Sequence, residues 1–137
     1  MNGYGKRVLI ADDEECVRRL IGLLLAREGF TVHEAGDGIE ALAELKKWRF
    51  DGLMADCSLP RLDGVQLLLL SRMMWPEIPV LLLSADLNEL PESLKRQGAS
   101  ALVPKPFDPH NLLQALHEAI SLAYAEHSAD HMTSEAS

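Results

Sequence analysis

Short apolar runs alternate with longer amphipathic ones along the 137-residue chain, and this alternation restricts its possible folds more than any other feature. The short runs are rich in Val, Leu, Ile and Ala, which is typical of β-strands. The longer runs repeat apolar residues at helical spacing. Strands and helices that alternate in this way predict a parallel sheet with right-handed crossovers. We therefore expect an α/β fold in which five parallel strands form one doubly wound sheet with helices on both faces.

The element boundaries follow from local composition. Strands are predicted at 7–11, 30–35, 50–56, 78–85 and 100–103. Helices are predicted at 14–28, 39–48 and 63–74, more weakly at 91–97, and from 108 onward. Side chains suited to helix N-caps are Asp37, Asp63 and Asp108, and Gly29 and Gly98 suit helix ends. We expect one domain over residues 1–127, followed by a disordered polar tail at 128–137.

Composition narrows the classes of function. The net charge of −8 argues against direct nucleic-acid binding, which needs a basic face. No apolar run approaches the ~20 residues that span a bilayer, and the N-terminus lacks the apolar segment of a signal peptide. Two cysteines exclude a disulfide-rich scaffold and a four-cysteine zinc site. We expect a cytoplasmic protein without membrane contact.

Polar side chains stand where four of the predicted strands end. Asp12 and Asp13 follow the first strand, Asp56 ends the third, Ser84 ends the fourth and Lys105 follows the fifth. Parallel strands place their carboxyl ends at one edge of the sheet, which is where ligands bind in such folds. The sequence therefore predicts three carboxylates, a hydroxyl and an ammonium group at one site.

This set of groups suits phosphoryl chemistry. Clustered carboxylates repel one another unless a cation lies among them, and their oxygens suit Mg²⁺. Asp56 held beside that metal could act as a nucleophile toward phosphorus. Lys105 could neutralise charge on the phosphoryl group, and the Ser84 hydroxyl could donate a hydrogen bond to it.

Four motifs carry a resemblance to a known family. They are "ADDE" after the first strand, "DCSLPRLDG" around Asp56, "LLLSA" at the fourth strand and "GASALVPKPF" before the last helix. With these motifs in order at the strand ends, the chain resembles a response-regulator receiver domain of two-component signalling, of the chemotaxis-regulator type. The resemblance covers about residues 6–125 and implies a flavodoxin-like (βα)5 fold.

The resemblance also implies roles for the acidic residues. Asp56 corresponds to the phospho-acceptor. Asp13 corresponds to a direct Mg²⁺ ligand, with Asp12 assisting partly through water. The backbone carbonyl of Ser58, two residues after the acceptor, would be a further metal ligand.

The remaining implied roles concern the phosphoryl group and its donor. Ser84 corresponds to the hydroxyl that contacts the phosphoryl group, and Lys105 to the family's lysine, followed by a cis peptide at Pro106. Asp86, two residues after Ser84, corresponds to a position that modulates phosphoryl lifetime. The implied donor is a phosphohistidine on a histidine kinase or a histidine phosphotransfer protein.

One position departs from the family pattern. The family usually has Tyr or Phe three residues before its lysine, and that ring moves inward when the hydroxyl engages the phosphoryl group. Here this position is Leu102. The departure leaves the sensing of phosphorylation open.

Two helices carry surplus apolar or mixed surface. The leucine-rich helix at 64–75 includes four consecutive leucines at 67–70, which cover more than one core stripe. They predict either a deeper core on that side or an exposed patch for a second copy or a neighbouring domain. On the first helix, one flank is either a solvated face or a docking surface for the phosphodonor; it carries Cys16, Arg19, Leu23 and Arg27.

Three functions compete. The first is a phospho-accepting signalling module, which assists only its own phosphoryl transfer and hydrolysis. The second is an interaction module that keeps the fold without phosphorylation. The third, a phosphatase of the haloacid-dehalogenase type, needs a second acid two residues after the nucleophile, where this chain has Ser58. The chain could act alone or be one domain of a longer protein, and its cognate kinase and output are not readable.

Overall fold

Five parallel strands form a single sheet in the order β2-β1-β3-β4-β5. The computed structural model describes residues 3–136, of which Leu87 and residues 127–136 are described by their backbone alone. The strands are β1 (Arg7–Ala11), β2 (Thr31–Ala35), β3 (Gly52–Asp56), β4 (Val80–Ser84) and β5 (Ala101–Pro104). The helices are α1 (Glu15–Arg27), α2 (Gly38–Lys47), α3 (Gly64–Met74), α4 (Ser93–Arg96) and α5 (Pro109–Ala136). The predicted fold class is confirmed.

The core consists of two apolar layers, one on each face of the sheet. On one face, Leu9, Leu53 and Leu82 pack with buried residues of α2 and α3. The opposite face presents Ile10 and Leu83 to α1 and α5. Every residue of β3 and β4 is buried, as expected for central strands covered on both faces. This burial holds the carboxyl ends of the central strands in place.

The local signals for helix starts and ends are confirmed. Asp37 accepts a hydrogen bond from the Glu40 amide at 2.8 Å. Asp63 forms a reciprocal capping box with Gln66. Asp108 caps α5 by accepting from two backbone amides at 2.8 and 3.2 Å. Gly29 and Gly98 follow α1 and α4 with positive φ angles of 96° and 117°.

The segment after β4 differs from the prediction. The expected helix at 91–97 is only the four-residue α4, and Pro91 lies before it rather than in its first turn. A 3₁₀ turn at Leu87–Glu89 occupies the predicted loop. Pro91 has no backbone N–H to donate a helical hydrogen bond, and Gly98 ends the helix seven residues later. Little room is therefore left between them for a longer helix.

In the leucine run on α3, some residues are in the core and others are exposed, as in both alternatives considered from the sequence. Leu67 and Leu68 are fully buried in the core, whereas Leu69 is 45% exposed. Met73 and Met74 are exposed as well, at 80% and 51%. The deeper core is therefore real for the first half of the run. Self-association through the exposed half stays a prediction.

The predicted docking flank of α1 is exposed at all four positions, which are Cys16, Arg19, Leu23 and Arg27. Within the described part of the chain, no helix is both long and apolar enough to cross a membrane. The backbone of residues 128–136 continues α5, which differs from the disordered tail expected at 128–137.

Candidate functional site

Three carboxylates meet at the carboxyl edge of the sheet. Asp12 and Asp13 follow β1, and Asp56 is the last residue of β3, its neighbour in the sheet. One oxygen from each side chain lies within 4.8 Å of the others. Asp12 and Asp56 are buried, whereas Asp13 is exposed. The cluster is therefore anchored inside and open to solvent on one side.

Lys105 joins this cluster from the loop after β5. Its Nζ donates hydrogen bonds to Asp56 Oδ2 and to Asp12 Oδ2, the latter at 2.7 Å. A third contact reaches the Glu14 carboxylate at 3.3 Å. The backbone amide of Lys105 donates to the Ser84 carbonyl at 2.8 Å, and a cis peptide links Lys105 to Pro106, as predicted. The lysine thus ties β1, β3 and β4 together at the site.

The electrostatics of the pair follow from burial. Burial raises the pKa of Asp12, and the hydrogen bond from Lys105 opposes that rise only in part. Burial also disfavours the charged form of Lys105, but hydrogen bonds to Asp12 and Asp56 outweigh it and raise the lysine pKa. Lys105 therefore remains an ammonium group.

The donor set of the cluster fits a divalent cation. One ammonium group cannot neutralise three carboxylates, so the site keeps an excess of negative charge. Carboxylate oxygens on an open, solvent-facing side are the ligands that Mg²⁺ takes together with water. Asp12, Asp13 and Asp56 are thus the residues that could hold such an ion.

The loop after β3 fixes the orientation of Asp56. Its Oδ1 accepts a hydrogen bond from the Ser58 amide at 2.8 Å. Gly64 brings the start of α3 against the end of the strand, where a Cβ would lie 2.3 Å from the Asp56 carbonyl oxygen. The Gly64 amide also donates to the Cys57 carbonyl at 3.2 Å. Only glycine fits this approach, so the loop after β3 is packed tightly onto the helix.

Ser84 lies at the end of β4 and is fully buried. Its hydroxyl donates to Glu89 Oε1 at 2.5 Å and accepts from the Asp86 amide at 3.0 Å. The Ser58 hydroxyl reaches the same Glu89 carboxylate at 3.1 Å. One acidic side chain therefore contacts the hydroxyls of both serines beside Asp56.

Sequence reasoning missed Glu89. The only sign of it is an acid five residues after Ser84, in a segment whose path the sequence does not reveal. The predicted modulating residue, Asp86, is exposed and caps the 3₁₀ turn by accepting from the Asn88 amide at 2.9 Å. Leu102 on β5 is half-buried against the apolar layer that includes α3.

The sequence matches the response regulator receiver domain family over residues 8–117. It is 33% identical over 128 residues to the response regulator MprA of Mycobacterium bovis, covering 92% of this chain and 55% of that protein. It is 31% identical over 115 residues to the transcriptional regulatory protein GlrR of Escherichia coli, covering 82% and 26% respectively. The chain thus spans about half the length of MprA and about a quarter of GlrR.

Solved structures show the same architecture. The CheY-like receiver domain protein of Methanospirillum hungatei superposes with a TM-score of 0.81 at 27% identity, covering 88% of this chain and 98% of that one. The chemotaxis response regulator CheY4 of Vibrio cholerae gives 0.77 at 32% identity, covering 83% and 98%. NtrX of Brucella abortus, crystallised with ATP, gives 0.86 at 27% identity, covering 93% and 29%.

Proposed function

Because the chain belongs to the response regulator receiver family, we propose that it accepts a phosphoryl group on Asp56 within a two-component relay. The observation that carries this proposal is the Lys105 ammonium group bonded to both Asp12 and Asp56. A salt bridge that served stability alone would not need two buried carboxylates beside a third, exposed one. The arrangement instead keeps a nucleophile and a charge-neutralising group at one accessible edge.

The transfer step uses groups that are already in position. A carboxylate oxygen of Asp56 attacks the phosphorus of a donor phosphohistidine and forms the new P–O bond. The P–N bond breaks, and its electron pair returns to the donor imidazole nitrogen. The Ser58 amide and Lys105 hold one Asp56 oxygen each, which limits rotation of the carboxylate during an in-line displacement.

Mg²⁺ is the proposed cofactor, held by Asp12, Asp13 and Asp56 with the Ser58 carbonyl as a further ligand. When bound, the ion supplies positive charge to the phosphoryl oxygens. Lys105 Nζ lies beside the same acceptor and would add a second positive charge near the phosphoryl group. Ser84 is proposed to donate its hydroxyl proton to a phosphoryl oxygen.

The proposed partner is a histidine kinase or a histidine phosphotransfer protein in the cytoplasm. The exposed flank of α1 supports a docking role, since Leu23 is 65% exposed between exposed arginines. These features favour a signalling module rather than an independent enzyme.

Mass spectrometry after incubation with Mg²⁺ and acetyl phosphate tests the proposal. We expect one added phosphoryl group in the wild type and none in Asp56→Asn. Asp108→Asn is a matched control, because asparagine caps a helix as well as aspartate does and residue 108 lies at the start of α5. A wild type that shows no Mg²⁺-dependent modification would instead support the phosphorylation-independent interaction module.

A further inference from the structure

The Glu89 carboxylate accepts hydrogen bonds from Ser84 and Ser58, the two serines near the proposed phospho-acceptor. Its carboxylate accepts from Ser84 Oγ at 2.5 Å and from Ser58 Oγ at 3.1 Å. Ser84 is the last residue of β4, five residues before Glu89, whereas Ser58 lies 31 residues before Glu89, in the loop after β3. The contact therefore results from the folding of the β4–α4 segment, residues 85–92, back over the site.

A phosphoryl group on Asp56 and the Glu89 carboxylate would compete for the same proton. A serine hydroxyl has one proton to donate, and the Glu89 oxygen is a closer acceptor of it than the Asp86 carbonyl, at 3.1 Å. A phosphoryl oxygen is also an anionic acceptor of the same kind. Two anions beside one buried hydroxyl repel each other, so only one of them can hold Ser84.

The backbone around Glu89 links this competition to the apolar core. Glu89 ends the 3₁₀ turn, and its carbonyl oxygen lies 3.8 Å from Cys57 Sγ. The next residue, Leu90, packs on the same apolar layer as Leu102. A change in the position of Glu89 would therefore move a residue that packs on this apolar layer.

We propose that Glu89 is an internal anionic latch that holds Ser84 and Ser58 in the unphosphorylated protein and is displaced when Asp56 carries a phosphoryl group. This inference rests on the proposed function and concerns its regulation. The displaced β4–α4 segment then reports phosphorylation. No aromatic ring at position 102 is needed for this route.

Beryllofluoride is a tetrahedral mimic of the phosphoryl group on a carboxylate. An NMR titration with beryllofluoride in the presence of Mg²⁺ measures its affinity for the protein and so tests the latch. In Glu89→Ala, which frees both hydroxyls, we expect binding about tenfold tighter than wild type, the scale of one hydrogen bond to a charged group. Glu89→Gln keeps an acceptor but loses the charge, so we expect an intermediate gain of about threefold. Glu92→Gln is the matched control, because that carboxylate is 82% exposed in the same segment.

The amides of residues 86–90 provide an independent readout. In the wild type, we expect their NMR chemical shifts to change on beryllofluoride binding. In ligand-free Glu89→Ala, we expect these resonances to lie already close to their positions in the bound wild type. Unchanged affinity in Glu89→Ala, or wild-type amides at 86–90 that do not respond to binding, would overturn the latch alone. Wild-type protein that shows no beryllofluoride binding dependent on Asp56 would overturn the proposed function and the latch together.

Discussion

The loops that follow β3 and β4 reach the same edge of the sheet but are built in opposite ways. The β3–α3 loop, residues 57–63, is fixed at the start of α3: Gly64 packs against the Asp56 carbonyl, and the side chains of Asp63 and Gln66 form a capping box. The β4–α4 segment is held largely by polar side chains, chiefly Glu89, and leads into a helix of four residues. The first loop is held by a close backbone approach and a helix cap, and the second by side-chain contacts that an anion can replace.

This difference assigns separate tasks to the two loops. A nucleophile must keep its geometry throughout the reaction, which suits a loop that is fixed by a close backbone approach and a stable helix start. A reporter must have two arrangements of similar free energy, which suits a short helix and an exchangeable ion contact. Five experiments test whether the loops differ as proposed.

Matched leucine truncations should show the largest difference. Leu68 on α3 and Leu94 on α4 belong to the same apolar layer, but Leu68 is fully buried on an 11-residue helix. We expect Leu68→Ala to lower the free energy of unfolding by about 3–4 kcal/mol, and Leu94→Ala by about 2, because a short helix can collapse onto its cavity. Urea denaturation measures both. A larger loss in Leu94→Ala would reverse the comparison.

Gly64→Ala should destabilise the protein by roughly 2–3 kcal/mol, since its Cβ would meet the Asp56 carbonyl oxygen at 2.3 Å and force the backbone apart. Gly22→Ala is the control within α1, where the nearest atom to a Cβ lies at 3.6 Å. There we expect a stabilisation of up to about 1 kcal/mol from helix propensity. Thermal unfolding of both variants checks the prediction, which fails if the two shift alike.

The helix caps offer a smaller contrast. Asp63→Ala removes a capping box and should lower the free energy of unfolding by about 1 kcal/mol. Glu92, the N-cap residue of α4, makes no side-chain cap hydrogen bond. Glu92→Ala should therefore change the free energy of unfolding by less than about 0.5 kcal/mol. Equal losses in a denaturant titration would show that the β4–α4 segment is as firmly capped as α3.

The two cysteines probe the contact between the loops. Burial raises the pKa of Cys57 to about 12, with nearby carboxylates adding to it, whereas Cys16 is exposed. Native protein treated with iodoacetamide at pH 8 should therefore take up one label, and urea-unfolded protein two. Rapid native labelling of Cys57 would show that the β4–α4 segment opens without a ligand.

The Cys57 thiol is expected to have the smallest effect, which is on how the free energy of unfolding depends on pH. Its pKa is raised in the folded state, so the folded form binds the thiol proton more tightly than the unfolded chain does. Stability from this group is complete below the unfolded thiol pKa of about 8.5 and is lost as pH rises above it. Cys57→Ser should therefore lack this part of the alkaline decline in the free energy of unfolding.

Several parts of the site were predictable because they depend on local pattern and on the direction of parallel strands. Asp12, Asp13, Asp56 and Lys105 follow strands whose carboxyl ends must share one edge, and the structure brings them together. The caps at Asp37, Asp63 and Asp108 depend on hydrogen bonds within three residues, so short-range spacing was enough. The roles of Asp56, Ser58 and Ser84 in phosphoryl transfer stay predictions.

The sequence by itself determined the kind of each element and the acidic edge, because periodicity, capping and strand direction are local properties of the chain. The tertiary structure decided that Leu67 and Leu68 are buried while Leu69 is exposed, because the rotation of α3 depends on how it packs. It also decided that the side chain of Glu89, rather than that of Asp86, contacts Ser84, because the path of an irregular segment is set by long-range contacts that no short pattern encodes.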